Sequence, residues 1–219
     1  MILKHMGHSF FLLTSENGTV IAMDPYGDFY QYPPRHERAD LCLISHHHHD
    51  HDSLQSLAGE PQIIDAAGRY VTASGVRATG ILTYHDDQNG ALRGKNTFFV
   101  LEVDGLRVAH AGDLGHMPTP AQAKEIGKLD LLLLPVGGYY TIDAKTALDV
   151  QKLLAPKVTI PMHYRTCYNP DMPIAPLAEY LALTGVHPQP MPLLRVTQAD
   201  ISELPAIVTL LPYMPVATA

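Results

Sequence analysis

Residues 45–52 read Ser-His-His-His-His-Asp-His-Asp, directly after the apolar run Asp40-Leu-Cys-Leu-Ile44. A purification tag would sit at a terminus, and a metal-sequestering tract would need no such placement. Ligands at the end of a buried strand are held on a rigid element. The spacing H-x-H-x-D-H fits these residues in one register, as His46, His48, Asp50 and His51. His46 and His48 are two apart in extended chain, so both point to one side. Asp50 and His51 lie where the chain turns into "DSLQSLAG", for which a helix is expected, and can face a second ion. His47 and His49 alternate with the ligands and are expected to serve as support or to face solvent.

The same arrangement recurs downstream. His85 closes "ILTYH", Asp113 closes "LRVAHAGD" and His163 closes "KVTIPMH". Gly112 and Gly115 are expected to let the chain turn sharply around Asp113. Four strand ends then present seven ligands, enough for two three-ligand sites and one bridging carboxylate. Imidazole with carboxylate suits zinc, and also manganese or iron.

Outward from this cluster, the first half reads as short strands. "ENGT" at 16–19 and Asp104-Gly105 mark hairpin turns. After Asp113, "TPAQAKEIGKLD", "DAKTALDVQKLLAP" and "PIAPLAEYLALTG" read as helices, the last stopped by Gly185. An α/β (α+β layered) domain follows, read as one domain over 1–219. The two halves could be two similar units, each ending in a ligand-bearing loop. The proline-rich tail, Pro188 to Pro215, is expected to wrap the domain.

These residues resemble the metallo-β-lactamase superfamily. Its five motifs occur in order: Asp24 in "AMDP", the H-x-H-x-D-H loop, His85, Asp113 and His163. The resemblance implies a four-layer αββα sandwich with the metals at one edge. It implies that His46, His48 and His85 hold one divalent ion, that Asp50, His51 and His163 hold the other, and that Asp113 bridges. Asp24 would support the loop through hydrogen bonds, and His110 is expected to be buried beside it. "GHSF" at 7–10, "RGKN" at 93–96, "HAGDLGH" at 110–116 and "PVGG" at 135–138 are most similar to the branch of ascorbate-6-phosphate lactonases and N-acylphosphatidylethanolamine phospholipase D relatives. Asp113 stands where many zinc β-lactamases have cysteine, which disfavours β-lactam hydrolysis. His48 stands where diiron flavoproteins have glutamate, which disfavours redox chemistry.

The expected activity is that of a dinuclear hydrolase. Two divalent ions lower the pKa of a shared water from about 15.7 toward about 7. Asp50 is the expected catalytic carboxylate, orienting the resulting hydroxide. The substrate is expected to be a small lactone, ester or phosphorylated compound. A phosphodiesterase of the same fold and a non-catalytic metal-binding scaffold or sensor are the alternatives. His8, His116, Tyr139, Arg93 and Arg165 are the expected pocket residues; Tyr84, Tyr140 and Tyr164 also neighbour ligand strands. No Gly-x-Ser-x-Gly elbow offers a side-chain nucleophile.

Composition narrows the class further. The chain has 219 residues, 46% hydrophobic and 17% charged, with a formal charge of −7. No Lys/Arg run tracks phosphates, so nucleic acid is not an expected partner. No apolar run approaches a membrane span, and no secretory signal is apparent. Two cysteines, Cys42 and Cys167, make no disulfide framework, so a cytoplasmic location is expected. Oligomerisation is left open. The 13 histidines nearly equal the 15 lysines plus arginines; of those outside the motifs, His5, His36 and His187 are expected at the surface.

Overall fold

The computed structural model describes residues 1–213. In chain order the strands are β1 (Ile2–Gly7), β2 (Phe10–Thr14), β3 (Val20–Met23), β4 (Glu37–Arg38), β5 (Leu41–Leu43), β6 (Leu57–Ala58) and β7 (Gln62–Ile64). They continue as β8 (Gly68–Val71), β9 (Arg77–Tyr84), β10 (Lys95–Val103), β11 (Leu106–His110), β12 (Leu131–Pro135), β13 (Val158–Met162) and β14 (Leu194–Arg195). Two six-stranded sheets result, ordered β14-β1-β2-β3-β5-β7 and β13-β12-β11-β10-β9-β8. Each contains an antiparallel meander followed by two parallel strands, a topology the two sheets share. Both expected hairpins form. At the second, Asp104 and Gly105 take positive φ of 52° and 74°, as a tight two-residue turn requires.

Strand alternation sorts the side chains. Phe11, Leu13, Ile21, Met23, Leu41 and Leu43 join Phe98, Val100, Val108, Leu131 and Leu133 in one core drawn from both sheets. Leu131–Pro135 is buried at every position, as a parallel strand covered on both faces should be. The expected helices form as α1 (Pro120–Ile126), α2 (Ala144–Leu154) and α3 (Leu177–Thr184). Thr119 and Gln122 close a capping box on α1, and Asp143 caps α2 by accepting from the Thr146 N–H at 2.8 Å. Ala144, Ala147, Val150 and Leu154 line the buried face of α2, and α3 ends at Gly185 with φ of 69°.

The outer face of the first sheet is covered differently. Phe10, Leu12, Ala22 and Cys42 point away from the main core and meet Tyr26, Phe29, Tyr32, Met172 and Ile174. This layer is made of loops around 24–32 and 172–174. Each fully buried aromatic in it contributes about 1.5–3 kcal/mol. The buried Arg35 pins it: its guanidinium donates to the carbonyls of Met6 (2.8 Å) and Tyr213 (2.7 Å) and to the Tyr26 hydroxyl (3.1 Å).

Two expectations fail. "DSLQSLAG" forms only one 3-10 turn, Leu54–Ser56. Ser53 is extended and caps nothing, the Ser56 hydroxyl binds the Tyr26 carbonyl, and Leu57–Ala58 leaves as β6 to pair with β4. His5 is buried, not at the surface, because the C-terminal tail crosses it. Its ring reaches the carbonyls of Leu210 (3.3 Å) and His8 (3.0 Å), and its own carbonyl accepts from the Tyr213 N–H. His36 and His187 are exposed, as expected. The tail does wrap, pairing β14 with β1 and Met191 with Leu210; its last part, 214–219, lies outside the described residues. No helix among the described residues is long and apolar enough to cross a membrane.

Candidate metal centre

Six strand-to-loop junctions converge on one edge of the sandwich. They deliver His8 (after β1), Asp24 (β3), Ser45–His51 (β5), His85 (β9), Asp113 (β11) and His163 (β13). The donor atoms of His46, His48 and His85 lie within 4.8 Å of one another, and so do those of His8, Asp50, His51 and His163. Asp113 stands between the groups. Its Oδ2 is 3.2 Å from His85 Nε2, 3.2 Å from His163 Nε2 and 3.9 Å from His46 Nε2, while Oδ1 is 3.4 Å from His51 Nε2.

Asp24 organises the loop. Oδ1 accepts from the Ser45 N–H (2.7 Å); Oδ2 accepts from the Ser45 hydroxyl (2.6 Å) and from His51 Nδ1 (2.9 Å). The Ser45 hydroxyl, having given its proton to Asp24, accepts from His46 Nδ1 at 2.8 Å. Both imidazoles therefore donate from Nδ1 and turn Nε2 inward, the second-sphere arrangement that orients metal-binding histidines. Burial would lower the His51 imidazole, but the facing carboxylates of Asp113 and Asp50 outweigh it and raise it well above its ordinary value, so an ion there would take the place of a proton. His110 is buried as expected. Its Nε2 donates to the Ser9 carbonyl (2.9 Å) and its Nδ1 accepts from the Gly112 N–H (3.1 Å).

The buried polar atoms test whether an ion fits. Among the described residues, His46 Nε2, His51 Nε2, Asp113 Oδ1 and His8 Nδ1 have no hydrogen-bond partner. Unpaired buried polar atoms are costly, and buried charges are normally paired or metal-bound. An imidazole–carboxylate set of this kind fits a divalent ion. Burial pushes the imidazoles of His46 down to about 3 and His8 down to about 4, so both offer lone pairs at ordinary pH. Burial alone would lift the carboxyls of Asp50 and Asp113. The neighbouring imidazoles outweigh it, His51 and His8 for Asp50 and His163 and His51 for Asp113, and hold both below the usual range.

Asn96 is a support that the sequence reading does not single out. Asn96 accepts from the Asp113 N–H at 2.9 Å and donates to Thr83 Oγ1 and the Ala111 carbonyl, fixing the Asp113 backbone. Gly112 has φ of 56°, and a Cβ there would strike Asn96 and Ser45. Gly115 is needed for another reason: a Cβ would land on the backbone of His85 and Asp86. His8 is drawn into the ligand group itself, with Nε2 3.3 Å from Asp50 Oδ2.

Beside the centre lies a cavity of about 360 Å³, at the small end of ligand sites. Phe29, Tyr30, Met172, Tyr140 and Arg93 wall it, with His48, Asp50, His85, Asp113 and His163 at its base. Three expected pocket residues are placed elsewhere. Arg165 is exposed, in a bridge to Pro176. Tyr139 is 65% exposed, because its own positive φ of 59° turns the chain so that Tyr140 faces the cavity. His116 lines an adjoining groove, where its Nε2 accepts from the Tyr84 N–H at 3.1 Å. Tyr84 packs on that ring, and Tyr164 is buried. His47 and His49 are exposed.

Asp86 follows His85 and gathers the next loop. Its Oδ1 accepts from the N–H groups of Gln88 and Gly90, and its Oδ2 from those of Leu92 and Arg93, at 2.7–2.9 Å. Burial would raise its carboxyl; these four bonds outweigh it and hold the carboxyl at about 2, against an ordinary 3.8. A depressed folded value adds stability above the unfolded pKa, which is lost as pH falls through the folded one. Asp86→Asn is therefore expected to unfold at lower temperature than the parent at pH 7, with the gap closing between pH 4 and 2. Thermal melts across that range check it; a constant gap would contradict the assignment.

A mixed α/β sandwich with this cluster along one edge is the architecture of the metal-dependent hydrolases of metallo-β-lactamase fold. The chain belongs to the β-lactamase superfamily domain family, which matches residues 2–163. It is 31% identical over 191 residues to a UPF0173 metal-dependent hydrolase of Methanoregula boonei, covering 76% of this chain and 83% of that one. A solved structure from Thermotoga maritima, of a candidate Zn-dependent hydrolase of the metallo-β-lactamase superfamily, superimposes with a TM-score of 0.79 and 36% identity over 95% of this chain and 97% of that one. Igni18, a metallo hydrolase of Ignicoccus hospitalis, gives a TM-score of 0.65 and 27% identity over 84% and 90%. The chain thus shares the fold and family of these metal-dependent hydrolases.

Proposed function

We propose a dinuclear site, with His46, His48 and His85 holding one divalent ion, Asp50, His51 and His163 the other, and Asp113 between them, most simply two zinc ions. The carrying observation is the Asp113 carboxylate, within 3.2–3.9 Å of four Nε2 atoms drawn from both groups. When bound, such ions supply Lewis acidity and a water acidic enough to attack at neutral pH. The protein's own contribution is positional. Asp50 lines the cavity floor with its carboxylate ionised, placed to orient the attacking water and take its proton. The Asp24–Ser45 pair engages Nδ1 of His46 and His51 and so directs Nε2 of each toward an ion. The cavity suits a small lactone, ester or phosphorylated molecule.

Metal analysis with a panel of lactones, esters and phosphodiesters tests the reading. Two ions per chain and turnover of at least one class are expected. Asp50→Asn is expected to lower kcat by at least about 100-fold while the chain stays folded. Two ions with no turnover on any class would overturn the hydrolytic reading in favour of a metal-binding scaffold.

A further inference from the structure

Among the described residues, Arg93 is the one lysine or arginine that lines the cavity. Its guanidinium has no carboxylate or carbonyl partner among the described residues; it lies over the Tyr140 ring, 5.8 Å from the centroid. An unpaired surface arginine usually sits on a mobile tip. Arg93 sits instead on a fixed one, because its own N–H is held by Asp86 at 2.7 Å. The rest of the loop is closed by Gly94 N–H to the Gly90 carbonyl (3.0 Å) and His85 N–H to the Gly94 carbonyl (3.1 Å). A cation–π contact at this distance uses none of the guanidinium N–H groups, and their fork matches a carboxylate or phosphate in bidentate geometry.

The surroundings make a cation informative. The chain carries a net charge of −7, and Asp50 and Asp113 line the same cavity. The proposed ions would offset those two carboxylates, and Arg93 adds a positive charge from the protein at a second point of the cavity. Phe29, Tyr30 and Met172 line the same cavity with apolar and aromatic surface that can bind an uncharged body.

We propose that the substrate is a small molecule with an apolar body and an anionic substituent, the body lying on Phe29, Tyr30 and Met172 and the anion gripped by Arg93. Asp86 acts as a positioning residue, setting the backbone that carries the guanidinium. The proposal rests on the cavity being the substrate site, but its test needs no turnover.

Isothermal titration of the metal-replete protein with 4-phenylbutyrate and with its neutral isostere 4-phenylbutyramide tests it. The parent should bind the carboxylate at least about tenfold more tightly than the amide. Arg93→Gln should weaken carboxylate binding by about 10- to 100-fold, and Arg93→Lys should recover only part, because lysine lacks the planar fork. Asp86→Ala should weaken the carboxylate with metal content still at two ions per chain. The phosphonate of the same chain length separates the two anion classes: tighter binding than the carboxylate assigns a phosphate-like group, weaker binding a carboxylate. Equal affinity of the parent for carboxylate and amide would overturn the proposal. So would Arg93→Gln binding the carboxylate as tightly as the parent, the result expected if the ions alone held the anion. A protein that turned over no substrate yet showed the Arg93-dependent preference would fail the hydrolytic reading and keep this one.

Discussion

Asp113→Ala is expected to take metal content from two ions per chain to one or none and to lower turnover by more than about 100-fold, beyond the 10–100-fold typical of losing an outer partner. Asp113 brings negative charge to four surrounding imidazoles, with Oδ2 3.2 Å from both His85 and His163. Alanine leaves those nitrogens facing one another with no anion between them. The backbone should hold, because Asn96 grips the Asp113 N–H, a bond alanine retains. Metal analysis and circular dichroism on the same sample check both halves. Two ions retained by a folded variant would refute the bridging role.

Asp24→Asn should be nearly as damaging, although it is isosteric and touches no substrate. Asp24 uses its two oxygens to accept from three donors: the Ser45 N–H, the Ser45 hydroxyl and His51 Nδ1. Asparagine has one acceptor oxygen and an NH2 that opposes a donor. With oxygen kept toward Ser45 N–H, the amide faces His51 and favours the imidazole tautomer with hydrogen on Nε2. That hydrogen points into the centre, where a lone pair is needed. Metal affinity should fall by about 10–100-fold with little change in melting temperature, since asparagine also tolerates the positive φ of 49° at this position. Alanine would add a buried unpaired N–H at Ser45, costing a further 1–3 kcal/mol, roughly. Chelator competition against the parent separates the two; unchanged affinity in Asp24→Asn would remove Asp24 from the tautomer argument.

The candidate ligands were legible because each is a polar residue closing an apolar strand, a local pattern that needs no knowledge of partners. The helices of the second half were legible for a similar reason: Thr119–Gln122, Asp143 and Gly185 are cap residues next to periodic apolar positions. What failed depended on distant chain. His5 is covered by residues 205 positions away. The helix expected at 52–59 gave way because Ser56 finds the Tyr26 carbonyl and Leu57 finds β4. Tyr139 and Tyr140 are adjacent, and one positive φ decides which faces the cavity. Arg93 and Arg165 are chemically alike; the carboxylate bonds of Asp86, invisible as a spacing, bring only the first to the site.

The two cavity walls differ in how freely they can change. Phe29 and Met172 belong at once to the cavity and to the aromatic layer over the first sheet, so altering them for a new substrate would also empty a core. The Asp86 loop carries no such double duty. Its carboxylate holds only main-chain N–H groups, which every residue except proline supplies, and the side chains at 87, 88, 89, 91 and 92 are exposed. Relatives that share this anchor could exchange those side chains, and Arg93 itself, at little cost to the fold, except at Asn89, whose φ of 57° favours asparagine or glycine. Selectivity could then drift on one side of the cavity while the other side and the metal-ligating edge stay constant.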